Sequence, residues 1–294
     1  MQVIQSATQL LEVCRAHRLA GRSVGLVPTM GYLHQGHISL VESLRPKVDI
    51  LIASIFVNPT QFGPSEDLDA YPRDEQGDLE KLKEANTDIV FLPTSAEIYQ
   101  EEGEVSLNPP ALASRLCGAS RPGHFSGVCT IVLKLMQLSR CTDAIFGEKD
   151  FQQLQVLRAM NRQLWLGINI HGGEVIREAD GLAMSSRNAY LGPKERDLAR
   201  ILSRGLIAAK RAFRDQNQDV PLTHSSLLAV IKSQIPEENP EVIIDYIEVV
   251  DPVSLTPAKL ITESTRVILA VKIGKTRLID NADLSTTDSL SRHL

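Results

Sequence analysis

His34 and His37 stand three positions apart in the stretch Pro28-Thr29-Met30-Gly31-Tyr32-Leu33-His34-Gln35-Gly36-His37. An imidazole N–H can donate to a phosphate oxygen and offset charge that develops at phosphorus. The preceding run, Val24 to Val27, is apolar and reads as a buried strand. The following run, Ile38 to Leu44, reads as the first turns of a helix. The pair therefore lies in a strand-to-helix turn, where open α/β sheets bind ligands. The free N–H groups and partial positive charge of a helix start suit a phosphate, and Gly36 lets the backbone come close. A structural role competes with this one: one histidine caps the helix and the other is solvated.

Three further sets of residues carry usable chemistry. Lys149, in Gly147-Glu148-Lys149-Asp150, also follows a strand and opens a helix. The helix dipole favours Glu148 and Asp150 there but disfavours Lys149. A phosphate to neutralise accounts for Lys149, with Asp150 contacting a ribose hydroxyl or positioning a side chain. Ser185, Ser186 and Arg187 offer two hydroxyls and a guanidinium to a triphosphate; equally, they suit a turn with serine caps. Asn58, Gln61 and Gln153 are amides, and paired amides can hold the hydroxyls and carboxylate of a small polar acid. Amides in loops also make plain turn contacts. Anion-binding chemistry at several separate strand ends is the stronger signal.

The elements that must position these residues alternate between strand and helix. A helix is expected over Ser6 to Ala20, stopped by Gly21, then the strand Val24 to Val27 and the histidine turn with its helix to Leu44, which Pro46 ends. Asp49 to Val57 reads as a strand covered on both faces, followed by the polar loop Asn58 to Pro64 and its continuation through Arg73. The helix Asp74 to Asn86 and the strand Ile89 to Leu92 follow, then an acidic surface connection over 101–110, the loop Arg121 to Phe125 and the helix Gly127 to Ser139. Asp143 to Phe146 is a short strand, Phe151 to Leu166 a helix, and Asn169 to His171 and Glu174 to Ile176 are short strands around Gly172-Gly173. Past Asn188 the pattern changes to helices over Pro193 to Arg214 and Leu222 to Ile235. Strands follow over Val242 to Val250, Arg266 to Val271 and Thr276 to Ile279, and the last eleven residues read as a frayed polar tail. This order predicts βαβ units, a Rossmann-like doubly wound parallel sheet and a smaller α+β C-terminal lid domain. The boundary falls near Ala179 to Asn188, giving residues 1–180 and 181–294. Gly274-Lys275-Thr276 mimics the end of a phosphate-binding P-loop, but Leu269 stands where that motif needs glycine, so Gly274 reads as a hairpin turn.

The chain has 294 residues, 43% hydrophobic, with a formal net charge of −5. That suffices for two domains and a sizeable core. The acidic balance argues against nucleic acid as the main partner. No stretch is apolar enough to span a bilayer, and no signal peptide is expected. Cys14, Cys117, Cys129 and Cys141 form no C-x-x-C pair, so they read as reduced thiols of a cytoplasmic protein.

The His-x-Gly-His turn resembles the nucleotidyltransferase superfamily, and Val27-Pro28-Thr29-Met30-Gly31 is more specific. With VPTMGYLHQGH (27–37), FVNPTQFGPSEDLDAYPR (56–73), RPGHFSGV (121–128), FGEKDFQQL (146–154) and READGLAMSSRNAYL (177–191), the chain resembles the pantothenate synthetase (pantoate–β-alanine ligase) family from Val24 to about Asp280. The resemblance implies an ATP site lined by Met30, Gly31, Tyr32, Leu33, His34, Gln35, Gly36 and His37, with His37 the catalytic histidine beside His34 and Lys149. It implies ATP contacts from Gly147, Glu148, Lys149 and Asp150, from the Ile176 backbone, and from a mobile turn of Met184, Ser185, Ser186 and Arg187. Gln61 and Gln153 would bind pantoate, with Gln61 also near β-alanine, and Asn58 and Arg121 would support them. The resemblance also implies Mg²⁺ with the ATP, its protein ligands unassigned, and a homodimer.

The expected reaction has two steps. The pantoate carboxylate attacks the α-phosphorus of Mg·ATP and expels pyrophosphate; the amine of β-alanine then attacks the acyl adenylate, giving pantothenate and AMP. The substrate supplies the nucleophile, so the protein positions and stabilises charge. A closing lid would keep water from the adenylate. Three rivals are weighed. The Asn58–Arg73 and Gln153 blocks speak against a transferase acting on another small substrate. The acidic charge speaks against a tRNA synthetase fragment. The intact phosphate-binding turns speak against a non-catalytic nucleotide-binding regulator.

Overall fold

A computed structural model of the chain describes residues 1–64, 66–99, 105–216, 221–236, 238–285, 288 and 290. The expected connection over 101–110 and the expected frayed tail fall in part outside the described residues. By its contacts the chain divides into two units: Met1–Glu148 with Gln152–Gly173, and Lys149–Phe151 with Glu174–Leu294.

The first unit is built on a six-stranded parallel sheet. Its elements are β1 (Gln2–Ile4), α1 (Ala7–Leu19), β2 (Val24–Thr29), α2 (Gln35–Leu44), β3 (Ile50–Ile55), α3 (Glu75–Glu84), β4 (Ile89–Phe91), α4 (Ser95–Ile98), α5 (Cys117–Ser120), α6 (His124–Ser139), β5 (Asp143–Gly147), α7 (Phe151–Gln163) and β6 (Asn169–Gly173). The strand order is β1-β4-β3-β2-β5-β6. The chain steps outward from β2 through β3 to β4, then returns to lay β5 on the other side of β2. The order therefore reverses between β2 and β5, the position where such sheets bind ligands beyond the carboxyl ends of their strands. β2 pairs with β3 over its whole length, Val24↔Ile50 to Thr29↔Ile55, which puts the turn after β2 beside the loop after β3. Val27, Val41, Leu44, Leu51, Ala53, Leu82 and Val90 are buried together, so α2 and α3 are clamped by the apolar residues that their periodicity presents.

Three local expectations need correction. β1 was not expected; only Ile4 of its three residues is buried, too short a signal for period-2 reading, and its pairing with β4 is long-range. Glu174 to Ile176 is not a strand; the single strand Asn169–Gly173 ends before it, and Arg177 makes an isolated bridge to Ala183 instead. The helix expected over Pro193 to Arg214 is two, α8 (Pro193–Ala199) and α9 (Ile201–Arg214), broken at Arg200, whose ψ of −12° departs from α-helical geometry.

The second unit completes with α10 (His224–Lys232), β7 (Val242–Val250), β8 (Arg266–Ile273) and β9 (Thr276–Asp283), the strands forming a three-stranded antiparallel sheet. Leu202, Leu206, Leu227 and Ile231 of the helices pack on Val249, Val267, Leu269 and Leu278 of the strands. Gly274, at φ +56°, makes the tight turn between Ile273 and Thr276, as its hairpin reading expected. All four cysteines are buried free thiols; burial pushes Cys14 and Cys129 up to about 12. No helix among the described residues is long and apolar enough to cross a membrane.

Candidate active site

His34 and His37 are the N-cap and the third residue of α2, which explains their spacing. His34 Nδ1 accepts from the Gly36 N–H at 3.1 Å, and His37 Nδ1 accepts from the His34 N–H at 3.3 Å. This is a capping box made from two imidazoles, and it satisfies backbone donors that the helix start leaves over. The ring centroids lie 4.1 Å apart with the planes tilted by 33°. Because both Nδ1 atoms act as acceptors, the proton of each neutral ring resides on Nε2. The structural reading of one capping and one solvated histidine is thus corrected: both rings, each half-buried, take part in the cap, and capping selects the tautomer in which Nε2–H is the donor.

The turn ahead of the pair is held from a distance. Gly31 (φ +82°) and Tyr32 (φ +51°) are both left-handed, which a glycine makes inexpensive at the first position. Asp78 of α3, 1% exposed, accepts from the Tyr32 N–H at 2.7 Å and from the Leu33 N–H at 2.6 Å, one on each carboxylate oxygen. Burial pushes the Asp78 carboxyl above its ordinary range, the two N–H bonds working against that push. Sequence reasoning missed Asp78. The available signal was an acid one helical turn before Leu82, in the phase of the buried face of α3.

The loop after β3 presents Gln61. Asn58, 1% exposed, is the hub. Its Nδ2 donates to Gln61 Oε1 at 3.2 Å and to the Gly127 carbonyl at 3.3 Å, while its Oδ1 accepts from Tyr99 OH at 2.6 Å and Thr60 Oγ1 at 3.1 Å. The Gln61 carbonyl is met by His124 Nδ1 at 2.8 Å and by Arg121 Nη2 at 3.5 Å. Arg121 forks onto both oxygens of Glu66 at 2.6 Å. Burial alone would raise the Glu66 carboxyl, but the bonds and charge of Arg121 outweigh it and hold the group below its usual range. Gln61 Nε2 also reaches Met30 Sδ at 3.0 Å, so the β2 turn and the β3 loop meet. Gly127 of α6 permits this: a Cβ there would stand 2.3 Å from the Thr60 carbonyl oxygen and 2.7 Å from Gln61 N.

Beyond β5, the two glutamines at the start of α7 divide their work. Gln152 is buried, accepts from the Cys117 N–H at 3.0 Å and donates to the Leu112 and Arg115 carbonyls at 2.9 and 2.7 Å. Gln153 is half-buried in the same first turn. Glu148, at the carboxyl edge of β5, is the last residue of the first unit before Lys149–Phe151 interrupt it.

In the second unit, Lys149 and Asp150 follow, their charged groups 3.8 Å apart. The stretch Ile176 to Asn188 folds back on itself: Met184 N–H donates to the Ile176 carbonyl at 2.9 Å and Glu178 N–H to the Leu182 carbonyl at 2.9 Å, around Gly181 at φ +88°. Arg196 bonds Glu178 Oε2 at 2.5 Å and Asp180 Oδ2 at 3.1 Å, and Asn188 Nδ2 reaches Glu178 Oε1 at 2.7 Å. At the tip Ser185 accepts from the Arg187 N–H at 3.3 Å, Ser186 is buried, and Met184 and Arg187 are half-buried. The serine cap is thus present, and Glu178 and Asp180 hold the turn through Arg196 and Asn188.

A parallel sheet with an order reversal beside β2, and two helix-capping imidazoles and a fixed amide beyond its strand ends, defines a Rossmann-like α/β protein, the class whose ligands sit at such reversals. Comparison with known proteins is specific. The family described as pantoate-beta-alanine ligase matches residues 2–283. The pantothenate synthetase of Geobacter sulfurreducens is 46% identical over 284 residues, covering 97% of this chain and 99% of the relative. That of Citrifermentans bemidjiense is 48% identical, with the same 97% and 99% coverage. The crystal structure of pantothenate synthetase from Thermus thermophilus superposes with a TM-score of 0.89 at 39% identity, over 97% of this chain and 99% of that one. The pantoate-beta-alanine ligase of Francisella tularensis, solved with beta-gamma ATP and beta-alanine, gives a TM-score of 0.76 at 32% identity, over 97% and 98% of the two chains. The chain belongs to the pantoate-beta-alanine ligase family.

Proposed function

We propose that this chain condenses pantoate with β-alanine at the expense of ATP, through a pantoyl adenylate. The family match over residues 2–283 carries the reading. A pantoate carboxylate oxygen attacks the α-phosphorus of Mg·ATP, and the bond to the β-phosphate oxygen breaks, releasing pyrophosphate. The β-alanine nitrogen then attacks the acyl carbon, the bond to AMP breaks, and the amine loses its proton to solvent.

Met30 to His37 line the ATP site in this proposal. The Nε2–H donors of His34 and His37 and the ammonium of Lys149 offset charge as pyrophosphate departs. Gly147, Glu148, Asp150, the Ile176 backbone and the Met184–Arg187 turn hold the rest of the nucleotide. Gln61 and Gln153 receive pantoate, Gln61 lies near β-alanine, and Asn58 and Arg121 support Gln61; the bonds from Asn58 and Arg121 to Gln61 favour that division. Mg²⁺ enters with ATP, as part of the substrate. We assign ATP and pantoate binding to residues 1–180 and a water-excluding lid to residues 181–294. A cytoplasmic homodimer is the assembly we expect, and the four reduced thiols fit a reducing compartment.

The test is pyrophosphate release from Mg·ATP with pantoate, with and without β-alanine. A small release with pantoate alone, rising to steady turnover with β-alanine and matched by AMP, is expected. ATP binding without any release would leave the regulator reading instead.

Gly127→Ala tests the pantoate assignment. A Cβ against the Thr60 carbonyl forces the Gln61 loop to move, since backbone rather than a flexible side-chain tip meets it. The KM for pantoate should rise about tenfold or more, with a smaller change in the KM for ATP and a melting temperature lowered by a few degrees. Equal rises in both constants would detach Gln61 from pantoate.

A further inference from the structure

β9 breaks the rule of alternation. Arg277 and Ile279 are half-buried between buried neighbours, as a sheet with one covered face requires, yet Asp280 and Asn281 are adjacent, polar and both buried, at 1% and 2% exposure. Neighbouring strand residues point to opposite faces, so each must be used for something different. Burying an amide or a carboxylate costs free energy unless it is bonded, and both are bonded completely enough to show what they hold.

Asp280 takes a fork from Arg177, at 2.7 Å from Nη1 and 2.9 Å from Nη2, which ties β9 to the root of the stretch that carries the Met184–Arg187 turn. Asn281 works on the other side. Arg266 Nε donates to its Oδ1 at 2.7 Å, and that bond decides which way round the carboxamide sits. Its Nδ2 then donates to the Lys149 carbonyl at 2.8 Å, across 132 residues of sequence. Arg266 is itself fixed, its guanidinium 4.2 Å from the centre of the Phe151 ring, two residues beyond Lys149. Lys149, Phe151, Arg266 and Asn281 all belong to the second unit, although Lys149 to Phe151 interrupt the sequence of the first.

We propose that Asn281 is a positioning residue for Lys149: its amide fixes the backbone from which the Lys149 side chain reaches ATP. The inference rests on the role proposed above for Lys149. A lysine ammonium sits at the end of four methylenes, so a small rotation of its peptide moves the charge by ångströms. A bond to its own carbonyl is the most direct restraint on that rotation. Because Asn281 is buried, water is poorly placed to replace the bond once the amide is removed.

The experiment uses the full chain and pantoate-dependent exchange of pyrophosphate into ATP. Asn281→Asp sets a carboxylate against the Lys149 carbonyl, and Asn281→Ala removes the donor without adding charge. Each should lower the exchange kcat about tenfold, the loss that fits one misplaced buried hydrogen bond, with the KM for β-alanine in the complete reaction unchanged. In a Lys149→Ala background the same substitutions should cost nothing further, because the group they position is gone. Arg266→Lys, which leaves Asn281 in place but removes the Nε donor that orients it, should give a smaller loss in the same direction and keeps the test open if either Asn281 variant melts below the assay temperature. Full activity in the Asn281 and Arg266 variants, or an equal loss with and without Lys149, overturns the positioning role alone. A wild-type chain with no pantoate-dependent exchange overturns the function proposed for the whole protein, and this role with it.

Discussion

Lys149→Ala should lower pantoate-dependent adenylate formation by about 10²–10³-fold, the range seen when one preorganised charge stabiliser is removed from a transition state. The fold should barely notice. Its ammonium lies 3.8 Å from Asp150, whose side chain is 50% exposed, and an ion pair so open to water contributes little to stability. The melting temperature is therefore expected within a degree or two of the wild type. Lys149→Arg should recover only part of the rate, because a planar fork delivers its charge differently from a compact ammonium. The measurement is pyrophosphate exchange beside thermal melting. A Lys149→Ala enzyme within threefold of wild type would remove Lys149 from the chemistry, and Asn281 would then have nothing to position.

His37 needs a pair of substitutions, because it both caps a helix and presents Nε2–H. Glutamine is the usual residue at the third helical position of a capping box, where its Oε1 accepts from the cap N–H. His37→Gln should keep the bond from the His34 N–H, now 3.3 Å to Nδ1, and melt close to wild type. His37→Ala loses that acceptor at a cost of about 1 kcal/mol, a few degrees of melting temperature. Both should lose about 10²–10³-fold in adenylate formation, since neither supplies the ring donor. An active His37→Gln enzyme would mean the histidine is needed for the cap alone.

The helix start that carries the two histidines could be read from the chain alone. The interval between His34 and His37 is a helix-capping interval, and capping is decided within a single turn of chain. Most of the strand and helix order followed from apolar periodicity over windows of six to fifteen residues and predicted a doubly wound parallel sheet, while the order within that sheet and its reversal beside β2 came from the fold. Gly274 declared its hairpin because a tight antiparallel turn needs a left-handed residue there. The five sequence blocks pointed to the family that the chain belongs to.

The misses share one cause. β1 is a strand only because β4 offers it an edge. Asp78 holds the Tyr32–Leu33 peptides from 45 and 46 positions away, and its phase on α3 signals burial but not where its partner lies. Gly127 is glycine because Thr60 and Gln61 pass within a Cβ radius of it. Asn281 lies beyond the strand expected over Thr276 to Ile279, and only the fold extends β9 through it and sets its amide on Lys149. By itself, the sequence determined most of the elements, their succession along the chain and the identity of the chemical groups, because backbone preference and periodicity act over a few residues. Tertiary structure alone decided which distant side chain restrains each of those groups, because that depends on which buried faces meet, and a buried polar group must find its partner wherever the packing puts one.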